Sequence, residues 1–375
     1  MEEQHRLRVL DGLRAVAILL VIGYHYFVRW TPPLSEANLY PYGDLGAHFW
    51  LFEYGDFGVE LFFIISGFVI SMTLFRCRSI GHFFWKRFSR LFPTMLICSL
   101  LTFAVLHALP QNAFSPQWRD FLPSLTFTDP LLWSKAFGTP FKAVDGAYWS
   151  LFVEVKFYLW VSIIYFTFGA QRFFRAFAWL FGALVLAYLG MRALDFPHLW
   201  GIDFVFALSS LPWFVAGIGF YALYADADSR IGRVLLVEAV VALATLQLGL
   251  RAGTVWPLIV IGLSYAVFLA FLFRPRWVAW LGYRPLAAVG VASYSLYLLH
   301  QSIGVAILDM VRQHFGTESS AASALLAPLL AVAMILASLA VYRLWEVPAK
   351  NALLSWAAGR RSASAAVDQP VREAP

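Results

Sequence analysis

Charge is scarce in this sequence. Asp, Glu, Lys and Arg make up only 13% of its 375 residues, against about 25% in soluble domains. So few charges cannot cover a water-facing surface of this size. Cysteine is nearly absent: Cys77 and Cys98 are the only two, too few for a disulfide framework and in no metal-ligand spacing. No polar stretch is long enough for a second globular domain. What the chain has is apolar mass, 61% hydrophobic with 15 Trp and 35 Phe. Several apolar runs are long enough to cross a bilayer. The fold class is therefore all-α, a polytopic membrane helix bundle.

Ten transmembrane helices are predicted, over residues 11–30, 57–75, 92–109, 147–168, 174–190, 204–224, 232–250, 254–273, 286–310 and 322–345. The first run follows a basic start, but no small-x-small cleavage site comes after it, so it reads as a retained span. No internal repeat and no inverted pair of broken helices is visible. Residues 1–350 form one membrane domain, and residues 351–375 a cytoplasmic tail whose Ala, Ser and Arg content predicts disorder.

Lys and Arg exceed Asp and Glu, 28 against 22. Their positions assign that excess to topology rather than to nucleic acid. Twenty of them fall in segments on the side of the N-terminus and seven on the other side. The positive-inside rule then puts both termini in the cytoplasm, in an inner-membrane protein. Two outward segments, 31–56 and 110–146, are rich in Pro and aromatics. They read as ordered caps over the bundle, or as plain connections with interfacial aromatics.

Polar groups inside the spans are the candidates for function. Arg14 and His25 lie eleven residues apart, about 20° from alignment after whole turns, so they share a face of span one. The rise separates them by about 16 Å. Span two carries Ser66-Gly67, a small pair that lets another backbone approach closely. Glu60, near its outer end, reads equally as a solvated carboxylate. Arg87 and Arg90 are one helical turn apart and form a two-pronged cationic site. Arginine suits phosphate, and lipid headgroups suit the same pair. Pro93, after that basic turn, reads as the start of span three. In span four Ser150, Glu154 and Tyr158 share a face, while Lys156 points elsewhere to snorkel or pair. In span nine Ser293, Tyr297 and His300 share a face. Glu346-Val-Pro348 closes span ten as a helix-end feature. By residue count His25, Glu154 and Ser66 lie at similar depth, with His300 somewhat deeper and the paired arginines on the opposite side. That polarity suggests a site reached from both faces of the membrane.

These motifs together resemble acyltransferase family 3, integral membrane O-acyltransferases that modify bacterial surface polysaccharides, peptidoglycan and some small sugars. The resemblance rests on Arg14-x10-His25, Gly58-Val-Glu-Leu-Phe-Phe-Ile-Ile-Ser-Gly-Phe68, Arg87-Phe-Ser-Arg90-Leu-Phe-Pro93, Trp149-Ser-Leu-Phe-Val-Glu154-Val-Lys-Phe-Tyr158, Ser293-Tyr-Ser-Leu-Tyr-Leu-Leu-His300 and Glu346-x-Pro348. It implies a cytoplasmic acyl-CoA donor, most often acetyl-CoA, no metal, and a carbohydrate hydroxyl as acceptor, lipid-linked forms included. Its partners would be that acceptor and the membrane lipids, with a homo-oligomer left open. Arg14, Arg87 and Arg90 are then expected to bind the donor. His25 is the expected base or acyl carrier, oriented by Glu154 as in a triad. Ser66, Trp149, Tyr297 and His300 are placed with the substrate, Ser66 or Tyr297 facing the developing oxyanion. The competing reading is a transporter or flippase of an acylated or lipid-linked sugar, which intramembrane charges also suit.

Overall fold

The computed structural model describes residues 2–109, 113–197, 199–250, 255–317 and 320–367. The start of the outward segment 110–146 and the end of the expected tail, from residue 368, lie outside them. The described residues hold helices and no strand. The long helices are α1 (Glu2–Phe27), α2 (Gly58–Leu74), α3 (Ile80–Ala108), α4 (Trp149–Phe168) and α5 (Phe173–Ala193). They continue as α6 (Leu199–Phe206), α7 (Leu211–Ala225), α8 (Arg230–Leu250) and α9 (Trp256–Phe273). The last four are α10 (Arg284–Val291), α11 (Ser293–Phe315), α12 (Leu326–Val341) and α13 (Val347–Val367). Among the described residues seven helical segments are long and apolar enough to cross a membrane, and nine with each of two bent pairs counted as one span. The protein is thus a helical membrane protein. The expected seventh span is present as α8 but is not among those nine. The expected start of a disordered tail, residue 351, falls inside α13.

Three features depart from the simple reading of single straight spans. The basic turn and span three form one continuous helix, α3, which starts at Ile80 behind the Ser79 cap and carries Pro93 in its interior. Interior proline costs a backbone hydrogen bond, yet neighbouring helices in a bundle supply other polar contacts. Here the Trp345 indole donates to the Pro93 carbonyl at 2.7 Å and the Tyr294 hydroxyl to that of Leu91 at 3.0 Å. Second, α6 and α7 are bent by 40°. The carbonyls freed at the end of α6 are taken by Lys156 Nζ, 2.7 Å from the Phe204 oxygen, and by the Trp160 indole, 3.1 Å from that of Val205. That is the partner of Lys156. Third, α10 and α11 are bent by 69°. The two bent pairs thus replace two of the single straight spans expected from the sequence.

α1 is the centre of the bundle, packing on α2, α10 and α11 and on the 3-10 turn Pro275–Gly282. α2 packs on α7 just as closely. The Ser66-Gly67 pair does allow the close approach expected of it. A Cβ on Gly67 would stand 2.2 Å from the Phe214 carbonyl oxygen, and one on Gly217 would stand 2.2 Å from that of Ile64. The segment after α1 is an ordered cap. Tyr40 and Tyr42 are fully buried. The Tyr40 hydroxyl donates to the His25 carbonyl at 2.8 Å and that of Tyr42 to the Tyr26 carbonyl. Two of the carbonyls that a helix end leaves without partners are thereby satisfied, directly above His25.

Candidate active site

α1 contributes Arg14 and His25. Arg14 is paired within its own helix, Nη1 to Asp11 Oδ1 at 2.6 Å. It lines a cavity between α1, α2, α3, α4 and α11. Arg87 and Arg90 of α3 line the same cavity, so the expected arginine pair is joined by Arg14. Arg87 is buried, donates to Thr73 Oγ1, and lies 5.6 Å from the ring centres of Phe83 and Tyr158. Guanidinium over an aromatic face is favourable where water is excluded. Arg90 has no hydrogen bond or ion pair to the described residues.

The opposite wall is polar without being cationic. Ser66 of α2 and Tyr158 of α4 both donate to Glu154 Oε1, the tyrosine at 2.7 Å. Tyr297 donates its hydroxyl to the Ala147 carbonyl at 2.9 Å and accepts from Ser150 Oγ at 2.8 Å. A tyrosine has one proton to give, which settles that direction. Ser150, Glu154 and Tyr158 thus keep the shared face expected of them, and it faces the cavity.

His25 and His300 sit beyond Tyr297 and are not cavity-lining residues. They touch each other: His300 Nε2 is 3.2 Å from His25 Nδ1, with ring centres 5.0 Å apart. His25 Nδ1 is also 2.9 Å from the Val21 carbonyl, and His300 Nδ1 is 2.9 Å from that of Tyr297. The Tyr297 ring, 5.6 Å from that of His300, links the pair to the cavity wall. The hydrogen bonds of Glu154 run to Ser66 and Tyr158. The neighbours that orient His25 are a second imidazole and a backbone carbonyl. His300 meets His25 rather than the cavity. Trp149 is 47% exposed, packs edge-on against Phe63, and does not line the cavity.

Sequence reasoning passed over Asp11, though its position three residues before Arg14 was a readable signal. Tyr294, which lines the cavity, and Asp145 carried no such signal. Asp145 accepts from the Ala147 and Ser302 backbone N–H groups at 2.8 and 2.9 Å, tying the start of α4 to α11 beside His300. Burial pushes its carboxyl up, against the pull of those two N–H groups. Glu346, read as a helix-end group, is buried at the π-helical turn Tyr342–Glu346 and accepts from Ser295 at 2.8 Å.

The chain is similar to several curated proteins. It is 25% identical to an O-acetyl transferase of Shigella phage Sf6 over 168 residues, 41% of this chain and 45% of the relative. It is 31% identical to O-acetyltransferase OatA of Staphylococcus aureus over 176 residues, 44% of this chain and 25% of the relative. It is 24% identical to peptidoglycan O-acetyltransferase OatA of Listeria monocytogenes over 169 residues, 40% of this chain and 22% of the relative. The matched stretches span less than half the length of these relatives. No solved structure matches. The family model for the acyltransferase domain, however, matches residues 7–343, nearly the whole chain, and with that the chain belongs to acyltransferase family 3.

Proposed function

We propose that this membrane protein is an O-acyltransferase that moves an acetyl group from acetyl-CoA to a carbohydrate hydroxyl. The observation that carries the proposal is the layout along α1. Three arginines line one cavity, and an imidazole lies about 16 Å further along the same helix face. Phosphates held by the arginines require a long thin arm to bring an acyl carbon to the level of that imidazole. Acyl-CoA has this shape. The positive-inside count supports a cytoplasmic side for the arginines and both termini, and in this reading the donor enters from that side of the inner membrane.

In this reading His25 takes the proton of the acceptor hydroxyl while its oxygen attacks the thioester carbonyl. The carbon–sulfur bond then breaks, and the proton passes to the departing thiolate to give free CoA. Tyr297 and Ser66, the expected oxyanion donors, line the cavity wall, but their protons are committed to the Ala147 carbonyl and to Glu154, so neither serves as an oxyanion donor in this arrangement. Glu154 holds Ser66 and Tyr158 in place. The acceptor is a surface glycan or its lipid-linked precursor, a class supported by the name of the Listeria relative.

Purified His25→Ala should bind acetyl-CoA, keep its thermal transition, and transfer no acetyl group. Normal turnover by that variant removes histidine from the mechanism. Acetyl-CoA consumption by wild-type protein in detergent, without any gradient, separates an enzyme from a transporter. Mass spectrometry of surface glycans with and without the gene identifies the acceptor by its gain of an acetyl mass.

A further inference from the structure

The protons of the two imidazoles follow from their neighbours. His300 Nδ1 lies 2.9 Å from the Tyr297 carbonyl oxygen. A carbonyl only accepts, so that nitrogen carries a proton. A neutral imidazole has one donor and one acceptor, which leaves His300 Nε2 bare. His25 Nδ1 faces this bare nitrogen at 3.2 Å and the Val21 carbonyl at 2.9 Å. Both neighbours accept, so His25 Nδ1 carries its proton too and shares it between them. Its Nε2 is then the bare nitrogen, and none of the described residues donates to it.

The opposite arrangement needs two penalties at once. A proton on His300 Nε2 would make that ring a cation, because its Nδ1 proton is already committed. It would also turn a bare His25 Nδ1 toward the Val21 carbonyl, lone pair against lone pair. His300 is completely buried, and no carboxylate among the described residues hydrogen-bonds to either ring. An uncompensated buried cation is costly. The neutral chain, Tyr297 carbonyl to His300 to His25, satisfies every contact.

We propose that His300 is the positioning residue of this site. It holds His25 in the tautomer whose Nε2 is free to act as base, and it accepts the Nδ1–H of the imidazolium formed in the reaction. This rests on the acyl-transfer reading above. The acceptor O–H bond breaks and an N–H bond forms at His25 Nε2. The positive charge on that ring makes its Nδ1–H a charge-assisted donor to His300 Nε2, which is stronger than the neutral bond before it. The Nε2 proton then goes to the thiolate, and the pair is neutral again. His300 thus fills the place that a carboxylate holds in a Ser-His-Asp triad. Unlike a carboxylate, it is a neutral acceptor fixed by a main-chain oxygen.

The test uses the full-length protein with ¹⁵N-labelled histidine in detergent. His25 is assigned by comparison with His25→Ala, and its nitrogen shifts are read without any donor present. The expected spectrum shows the proton on Nδ1. His300→Phe should add the Nε2–H form and lower kcat by about 100-fold, less than the ~10⁴ of a triad without its acid, because the Val21 carbonyl still accepts. The KM for acetyl-CoA should stay the same, since His300 does not line the cavity. His300→Gln, whose amide oxygen can accept from Nδ1–H, should recover most of the rate and the original spectrum. Glu154→Gln should leave the His25 spectrum unchanged. A wild-type spectrum with the proton on Nε2 overturns the proposal even if neither His300 variant folds. So does a folded His300→Phe with wild-type kcat. A protein that shows Nδ1–H on His25 and transfers nothing supports the pairing and overturns the acyl-transfer reading.

Discussion

Removing Arg90 isolates donor binding from folding. Arg90 lines the cavity beside Arg14 and Arg87, but the three are not equivalent. Arg14 has its ion pair with Asp11. Arg87 has its bond to Thr73 and two aromatic neighbours. Arg90 has no hydrogen bond or ion pair among the described residues, so Arg90→Ala leaves no protein group stranded. Its side chain is half-buried, and its charge acts on groups of both signs, Asp11 and Glu346 against Arg14 and Lys350, so the net effect on stability should stay within about 1 kcal/mol. Against a phosphate the lost bond is charge-assisted and worth about 1.5–3 kcal/mol. At about 1.4 kcal/mol per factor of ten, acetyl-CoA affinity should fall roughly 10- to 150-fold. Calorimetric titration of the detergent-solubilised protein with acetyl-CoA measures this, and a thermal melt of the same sample checks the fold. Arg87→Ala is the contrast: it should lower both affinity and melting temperature. Wild-type affinity in a folded Arg90→Ala protein would refute the donor site. A clear drop in its melting temperature would refute the premise that Arg90 is held for a ligand.

Gly67→Val should abolish the close contact of α2 with α7. The new Cβ meets the Phe214 carbonyl 2.2 Å away, and backbone cannot step aside. The cost should be about 3 kcal/mol or more, at or above the top of the usual overpacking range. A wild-type thermal transition in detergent counts against the described packing. Tyr40→Phe deletes the donor to the His25 carbonyl and the acceptor of the Trp30 N–H. It should cost about 1–3 kcal/mol in thermal unfolding while leaving acetyl-CoA affinity unchanged, and a fall in affinity would show that the cap also shapes the donor cavity.

What the sequence made legible is what helix periodicity governs. The common face of Ser150, Glu154 and Tyr158 and the one-turn spacing of Arg87 and Arg90 are local properties of a 3.6-residue repeat, and all five residues meet at one cavity. Pro93 was misread as a helix start because the helix continues through it, and the groups that hold this stretch from outside, Tyr294 and Trp345, lie far along the chain. The break between α6 and α7 was hidden for the same reason, since Lys156 and Trp160 lie on another helix. The partner of His25 was harder still. Glu154 and His300 lie at comparable depth, and depth is one coordinate where a contact needs three. The crossing of α1 with α11 decides between them, and it is set by groups with no chemical signature of a site. Tyr26 donates to the His300 carbonyl at 3.0 Å, and a Cβ on Gly304 would fall 2.0 Å from the Tyr26 hydroxyl. Only a glycine at that position lets α11 come close enough to α1 for one imidazole to reach the other. The proton placement at the site therefore depends on a packing contact a full helical turn away from it.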